Sequence, residues 1–448
     1  MNQATGRHGA ISSPANLSVS TLKNQSTRPA GPKSKARESR LGLPDFKWTM
    51  TLLGLCIYSF AIITFKFPVA QLGIAMGVMG LLSGRNPVQK PTPFLLYLAF
   101  MFWALVASFT SPFADVALET VVERLKLLVV LLIAMNAFQT EGQFRFYLLL
   151  ILGCFILFPA RGTFLGGDTV QGRAVWTHVY NNPNDLAALC LLAFGVALAI
   201  VFSETTWNPV RLGCGISAAI LLVVILRTQS RGVFLGIIIA IAPGFIPILL
   251  KQLRLAIGMG IVVGLVLSFA IPPKTWERLG GIKKLTSTEA VENQNDSNEA
   301  DSSAAQRLEI VKTGWKIFLD HPIFGMGLGA YPLANNMYSP FLGKRDTHNT
   351  YINLAAETGL PGLVIWCSLV WSVLYRAYRA RQRAAESPLK IQNYWLGQAL
   401  LGYLVAGTFG SYSGLNFLYL MLSALWCSTN LLVAASPRPM RRVGAGRT

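Results

Sequence analysis

Residues 209–250 read PVRLGCGISAAILLVVILRTQSRGVFLGIIIAIAPGFIPILL. Two apolar runs, 209–226 and 232–250, flank the polar break Arg227-Thr228-Gln229-Ser230-Arg231. Each run is long enough to cross about 30 Å of hydrocarbon as a helix. So short a break turns the chain straight back, leaving both arginines at one membrane surface.

The same pattern recurs outward in both directions. Candidate spans fall at 48–65, 67–84, 92–110, 121–138, 145–159, 185–203, 209–226, 232–250, 254–272, 360–378, 392–411 and 414–434. The expected fold is therefore all-α: a polytopic membrane protein of about 12 transmembrane helices, with one long loop between helices 9 and 10. Composition agrees, because 52% hydrophobic and 13% charged residues do not suit a soluble chain of 448 residues.

Charge sets the orientation. With the N-terminus inside, the inner segments hold Arg7 to Lys47, Arg85 and Lys90, Lys251 and Arg254, Arg376 to Lys390, and Arg438 to Arg447. These short loops and tails are basic, as the positive-inside rule requires. The net charge of +19 is then accounted for by topology and anionic membrane lipid, and nucleic acid is not expected as a partner.

Residues 1–47 lack hydrophobic period and read as a disordered basic cytoplasmic tail, matched by a second basic tail at 436–448. No cleavable leader pattern precedes the first span, which is expected to stay as a signal anchor. The six cysteines all fall in spans without CxxC spacing, so neither disulfides nor zinc are expected.

On this topology 160–184, 227–231 and 273–359 share the outer face. They carry Arg161, Arg173, His178, Arg231, Arg307, His321 and His348, cations that oppose the positive-inside bias. Within the long loop, 285–303 reads as a solvated insertion and Ala304–Phe318 as an amphipathic helix through Leu308, Val311, Trp315 and Phe318. His321-Pro322 stops it. Gly325, Gly327 and Gly329 then form a turn that either approaches a ligand or only bends the chain.

From His348 an apolar stripe (Ile352, Leu354, Ala355, Leu360) leads into the tenth span. A histidine at that helix start has a depressed pKa and is neutral near physiological pH, as a general base for a hydroxyl must be. Arginine's planar fork grips phosphate oxygens. Histidine and arginines together beside a bilayer suggest transfer from a lipid-linked phosphate.

Four features resemble the O-antigen ligase and polymerase superfamily. They are Gly172-Arg173 ahead of Asn181-x-Pro183-Asn184; Thr228-Gln229-Ser230-Arg231-Gly232; Arg307 through Gly329; and His348-Asn349-x-Tyr351 with Glu357-x-Gly359-x-x-Gly362. The resemblance implies an inverting, metal-independent transfer of a glycan from undecaprenyl diphosphate, without cofactor, on the periplasmic side of a bacterial inner membrane. It makes His348 the base and Arg173 and Arg231 the diphosphate clamp, with Arg307, Tyr351, Glu357 and Asn184 secondary. The acceptor would be lipid A core for a ligase, or another lipid-linked glycan for a polymerase.

Each assignment has a structural competitor. His348 can cap or pack; Arg231 can snorkel; Arg173 can meet headgroup phosphate; Arg307 can fix its own helix through Asp or Glu. Asn181–Asp185 suits a helix cap, Glu357 can orient His348 or cap a dipole, and Tyr351 can stack on sugar or sit at the membrane boundary. As a different class, a lipid-glycan flippase or transporter should place ionisable groups at mid-span and show two related halves. Here the spans are nearly free of charge and the loop divides them nine to three.

Overall fold

The computed structural model describes residues 43–251 except 66–67, 85–86, 168 and 171, then residue 257 and residues 299–435. The ninth predicted span and most of the two tails and the solvated insertion lie outside the described residues.

The described chain is almost wholly helical. In order come α1 (Met50–Thr64), α2 (Val69–Ser83), α3 (Thr92–Thr110), α4 (Ala114–Asn136), α5 (Glu141–Phe155), α6 (Arg161–Phe164), α7 (Pro183–Ser203), α8 (Pro209–Thr228) and α9 (Arg231–Lys251). After the undescribed stretch follow α10 (Glu299–Asp320), α11 (Tyr331–Tyr338), α12 (Thr350–Arg383), α13 (Pro388–Ala406) and α14 (Asn416–Ala435). A two-stranded ribbon, β1 (Thr169–Val170) with β2 (Arg173–Ala174), precedes α7.

Six of the described helices are long and apolar enough to cross a membrane, where the sequence suggested twelve spans. Three more (Met50–Thr64, Val69–Ser83, Arg231–Ile246) are apolar but shorter. α4 differs most from expectation. It starts at Ala114, not 121, and its first half carries Asp115, Glu119, Glu123, Arg124 and Lys126.

The fifth predicted span, 145–159, ends on Pro159, a residue with no helical N–H to donate. In the structure a π turn, Ile156–Ala160, absorbs that proline and the helix runs on to Phe164, giving one stretch of 24 residues. The eleventh span was drawn too long. α13 ends at Ala406 and α14 begins at Asn416, because Gly407, Gly410, Ser411, Ser413 and Gly414 break the helix.

α7 is the central helix, buried along nearly its whole length. Small residues let its neighbours close in: α9 and α13 cross where Gly236 and Gly402 face each other, and a Cβ on Gly402 would stand 2.3 Å from the Gly236 carbonyl oxygen. Close backbone approach at small residues is how membrane helices gain dispersion contact without a hydrophobic drive.

The outer short helix of α12 is set off by a kink at Gly359 (φ 67°). A Cβ there would lie 1.9 Å from the Ile323 carbonyl oxygen, so only glycine lets the loop after α10 dock. Trp103 of α3 donates to the freed Thr358 carbonyl at 2.8 Å, and Leu360 N–H donates to the Pro322 carbonyl at 2.8 Å.

Candidate functional site

Segments far apart in sequence meet at one end of the bundle. Asn349 caps α12, its Oδ1 accepting from Tyr351 N–H and Ile352 N–H at 3.0 Å each. His348, half-buried, stands one residue before the cap at φ 52°, a left-handed conformation that histidine tolerates better than most residues.

The loop between α13 and α14 holds this turn in place. Thr350 N–H donates to the Gly407 carbonyl at 2.7 Å and Thr350 Oγ1 to the Gly410 carbonyl at 2.6 Å. Tyr412 N–H donates to Thr350 Oγ1 at 2.9 Å, and Asn349 Nδ2 to the Thr408 carbonyl at 3.1 Å. Asp346 accepts from Thr347 N–H at 2.8 Å and from Ser411 Oγ at 3.0 Å. The histidine thus projects from backbone fixed on both sides.

Arg173 arrives from β2. Its Nε donates to the Thr228 carbonyl at 2.7 Å, at the C-terminus of α8, and Nη2 donates to Asn184 Oδ1 at 2.8 Å. Asn184 therefore positions Arg173, while Asn182 caps α7 by accepting Asn184 N–H at 2.9 Å. Arg231 opens α9 two residues after Gln229, a second non-glycine residue in the left-handed region (φ 54°). Two such residues beside one cluster mark it as a place where backbone is held against preference.

Arg307, on α10, is close enough to Arg231 for their charges to repel. Arg307 and Arg173 both act on His348 as well. Burial is the main cause that holds the His348 imidazole below its ordinary range; Arg307 adds most among the charges, Arg345 and Arg173 contribute, and Asp346 opposes. Among the described residues neither Arg231 nor Arg307 forms an ion pair, so the expected Asp or Glu partner for Arg307 is not found among them.

Tyr412 escaped sequence reading because it was lost between two predicted spans. Its buried hydroxyl bonds Ser230 and it feels Arg173, Arg307 and Asp185. The Gly410-Ser411-Tyr412-Ser413-Gly414 run, polar and glycine-rich between apolar helices, was the available signal.

Other candidates stand apart. The Glu357 carboxylate accepts from Tyr331 N–H at 3.3 Å, at the first residue of α11, and its carbonyl accepts from Gly327 N–H at 2.9 Å. It caps the dipole of a neighbouring helix. The Tyr351 hydroxyl donates to the Leu404 carbonyl at 2.8 Å and its ring meets Trp366 edge-on.

His178 packs on Trp176 and Phe65, and His321 ends α10 exposed. Gly325, Gly327 and Gly329 all have positive φ and turn the chain against Ser111, Ala117 and Thr120. Bending the chain is thus what that glycine run does. No three His, Cys, Asp or Glu side chains gather as a metal site among the described residues.

A family model described as O-antigen ligase matches residues 216–367. That stretch holds Arg231, Arg307, His348 and Glu357 and stops short of the Gly410–Gly414 run. The chain is also 26% identical over 280 residues to the teichuronic acid biosynthesis protein TuaE of Bacillus subtilis (strain 168). The match takes in 59% of this chain and 54% of that protein, about half the relative's length. Both matches agree with the motif resemblance: this multi-pass membrane chain is similar to the O-antigen ligase family and to a protein of teichuronic acid biosynthesis.

Proposed function

We propose that the chain transfers a glycan from undecaprenyl diphosphate to an acceptor sugar hydroxyl, at the end of the bundle where His348 and the arginines meet. The family match supports the coarser reading, a membrane glycosyltransferase-like ligase or polymerase of cell-surface polysaccharide biosynthesis. One observation carries the finer one. Arg173 and Arg307 come from separate elements to within charge interaction of a single half-buried histidine, and Arg231 from a third stands within charge interaction of Arg307.

In this reading the acceptor hydroxyl attacks the anomeric carbon and gives its proton to His348, which depressed basicity keeps neutral and ready. The bond from that carbon to the diphosphate oxygen breaks with inversion. The electron pair leaves on the diphosphate, already stable as an anion and further stabilised by the Arg173 and Arg231 guanidinium groups, with Arg307 beside them. No metal is needed for such a departure. The site end would face the periplasm, with both tails in the cytoplasm of an inner-membrane protein.

Lipid A core is the acceptor for a ligase. A polymerase of lipid-linked repeats with the same donor is the second reading, favoured by similarity to a protein of teichuronic acid biosynthesis. Purified chain and His348→Ala, given lipid-diphosphate-linked glycan with or without lipid A core, would have their products sized on a gel. A core-dependent band lost in the variant supports the ligase; a ladder without core supports the polymerase. No product from folded wild type would turn the reading toward a lipid-glycan flippase or transporter.

A further inference from the structure

α10 carries two apolar stripes on opposite sides. One, Ile310, Thr313, Gly314 and Ile317, is buried against α11 and α12: Ile310 gives its carbonyl to the Tyr331 hydroxyl at 2.9 Å, and Gly314 lies against Ile352. The other recurs at spacings of seven and four residues, Leu308 55%, Trp315 52% and Leu319 57% exposed. At about 100° per residue these three share one face turned away from the protein. Lys312, Lys316 and Glu309 lie to one side of it, all exposed.

The placement of the helix says what covers that face. Part-way along α10, Arg307 comes within charge interaction of Arg231, the first residue of the apolar helix α9. At the other, Pro322 and Ile323 dock on the Gly359 kink, and Phe324 stacks on Trp103 of α3 with ring centroids 5.3 Å apart. α3 is a membrane-length helix that turns Phe102 and Phe109 outward on either side of that contact. The stretch from Arg307 to Ile323 is thus tied at both ends to apolar helices, so it crosses the mouth of the bundle. Ile323, exposed beside Phe324, continues the stripe onto the lipid-facing surface of α3.

We propose that α10 lies in the headgroup and upper acyl boundary of the bilayer, with Leu308, Trp315 and Leu319 inserted in lipid and Lys312 and Lys316 extended to headgroups. An interfacial tryptophan with flanking lysines suits that depth. Arg307 immediately precedes Leu308, so lipid anchoring sets the height of this arginine over the membrane surface. The inference depends on the chain spanning a bilayer and not on the glycan-transfer reading.

The test uses the full chain in nanodiscs of phosphatidylethanolamine and phosphatidylglycerol. A single environment-sensitive fluorophore is attached at Trp315→Cys, Leu319→Cys or, as a loop control, Lys344→Cys, and the signal of the unsubstituted chain is subtracted. Nitroxide placed high on the lipid acyl chains should quench the 315 and 319 labels at least about threefold more than the 344 label, with iodide in water giving the reverse order. Thermal midpoints equal to wild type establish the fold. Iodide quenching of 315 and 319 equal to that of 344 would overturn the proposal, as would shielding of both labels from lipid nitroxide and iodide alike, the result for a protein partner or a second copy.

Discussion

The two ends of the helical bundle treat their arginines differently. At the end away from His348, Arg145 of α5 pairs with Glu204, Arg381 donates to Asn393 Oδ1 at 2.8 Å, and Arg376 donates to Asn430 Oδ1 at 2.8 Å. Each of these three guanidinium groups meets a side-chain acceptor on another element. At the His348 end, Arg231 and Arg307 repel one another and neither forms an ion pair among the described residues. Cations that hold helices together are given acceptors; cations gathered without an ion-pair partner among the described residues leave a field that favours an anion. Arg173 is intermediate, because it closes the α8 terminus and faces the cluster.

The sharpest way to break this contrast is at the histidine. His348→Ala should lower turnover by about 10²–10⁴-fold while donor binding is retained; full activity in folded variant protein would remove the base from the mechanism. Arg145→Ala tests the opposite end. It leaves Glu204, nearly covered, without its partner, and should lower stability by about 3 kcal/mol in a denaturation series with donor affinity unchanged.

Arg231→Ala should weaken donor binding by about 10–100-fold, the usual loss for a charge-assisted contact, with little change in thermal midpoint. Arg173→Ala should lose both affinity and stability, and an affinity loss without a stability loss would separate it from the α8 terminus. The smallest effect is a shift in pH dependence. The acid limb of turnover should lie below histidine's ordinary 6.5, because burial and then Arg307 disfavour the imidazolium. Removing that positive charge in Arg307→Gln raises the His348 pKa, so the acid limb should move to higher pH. An unmoved limb would detach Arg307 from the histidine.

Local chemistry was legible where it is a matter of neighbouring residues. Arg231 opens a helix, Asn182 and Pro183 start α7, and the stripe after His348 is a helix. Features that depend on a distant partner were not legible. Glu357 reads as a dipole cap or a histidine orienter until Tyr331 N–H is found at its carboxylate. Tyr351 reads as a sugar platform until its hydroxyl meets the Leu404 carbonyl. The fifth span reads as 145–159, because the sequence does not reveal that a π turn carries the helix past Pro159.

The sequence alone determined the class, an all-helical multi-pass chain, because hydrophobicity sustained over membrane length leaves the backbone no partner but itself. It also determined which cations and which histidine were unusual for their surroundings, through their motifs. Only the tertiary structure decided that Arg173 and Arg307 reach His348, that Arg231 reaches Arg307, that Tyr412 feels Arg173 and Arg307, and that Asn184 serves Arg173. Those relations arise from helix packing and from hydrogen bonds between distant segments, as from Tyr412 to Thr350, 62 residues apart. Burial and the summed field that hold the imidazole neutral exist only once those segments have met.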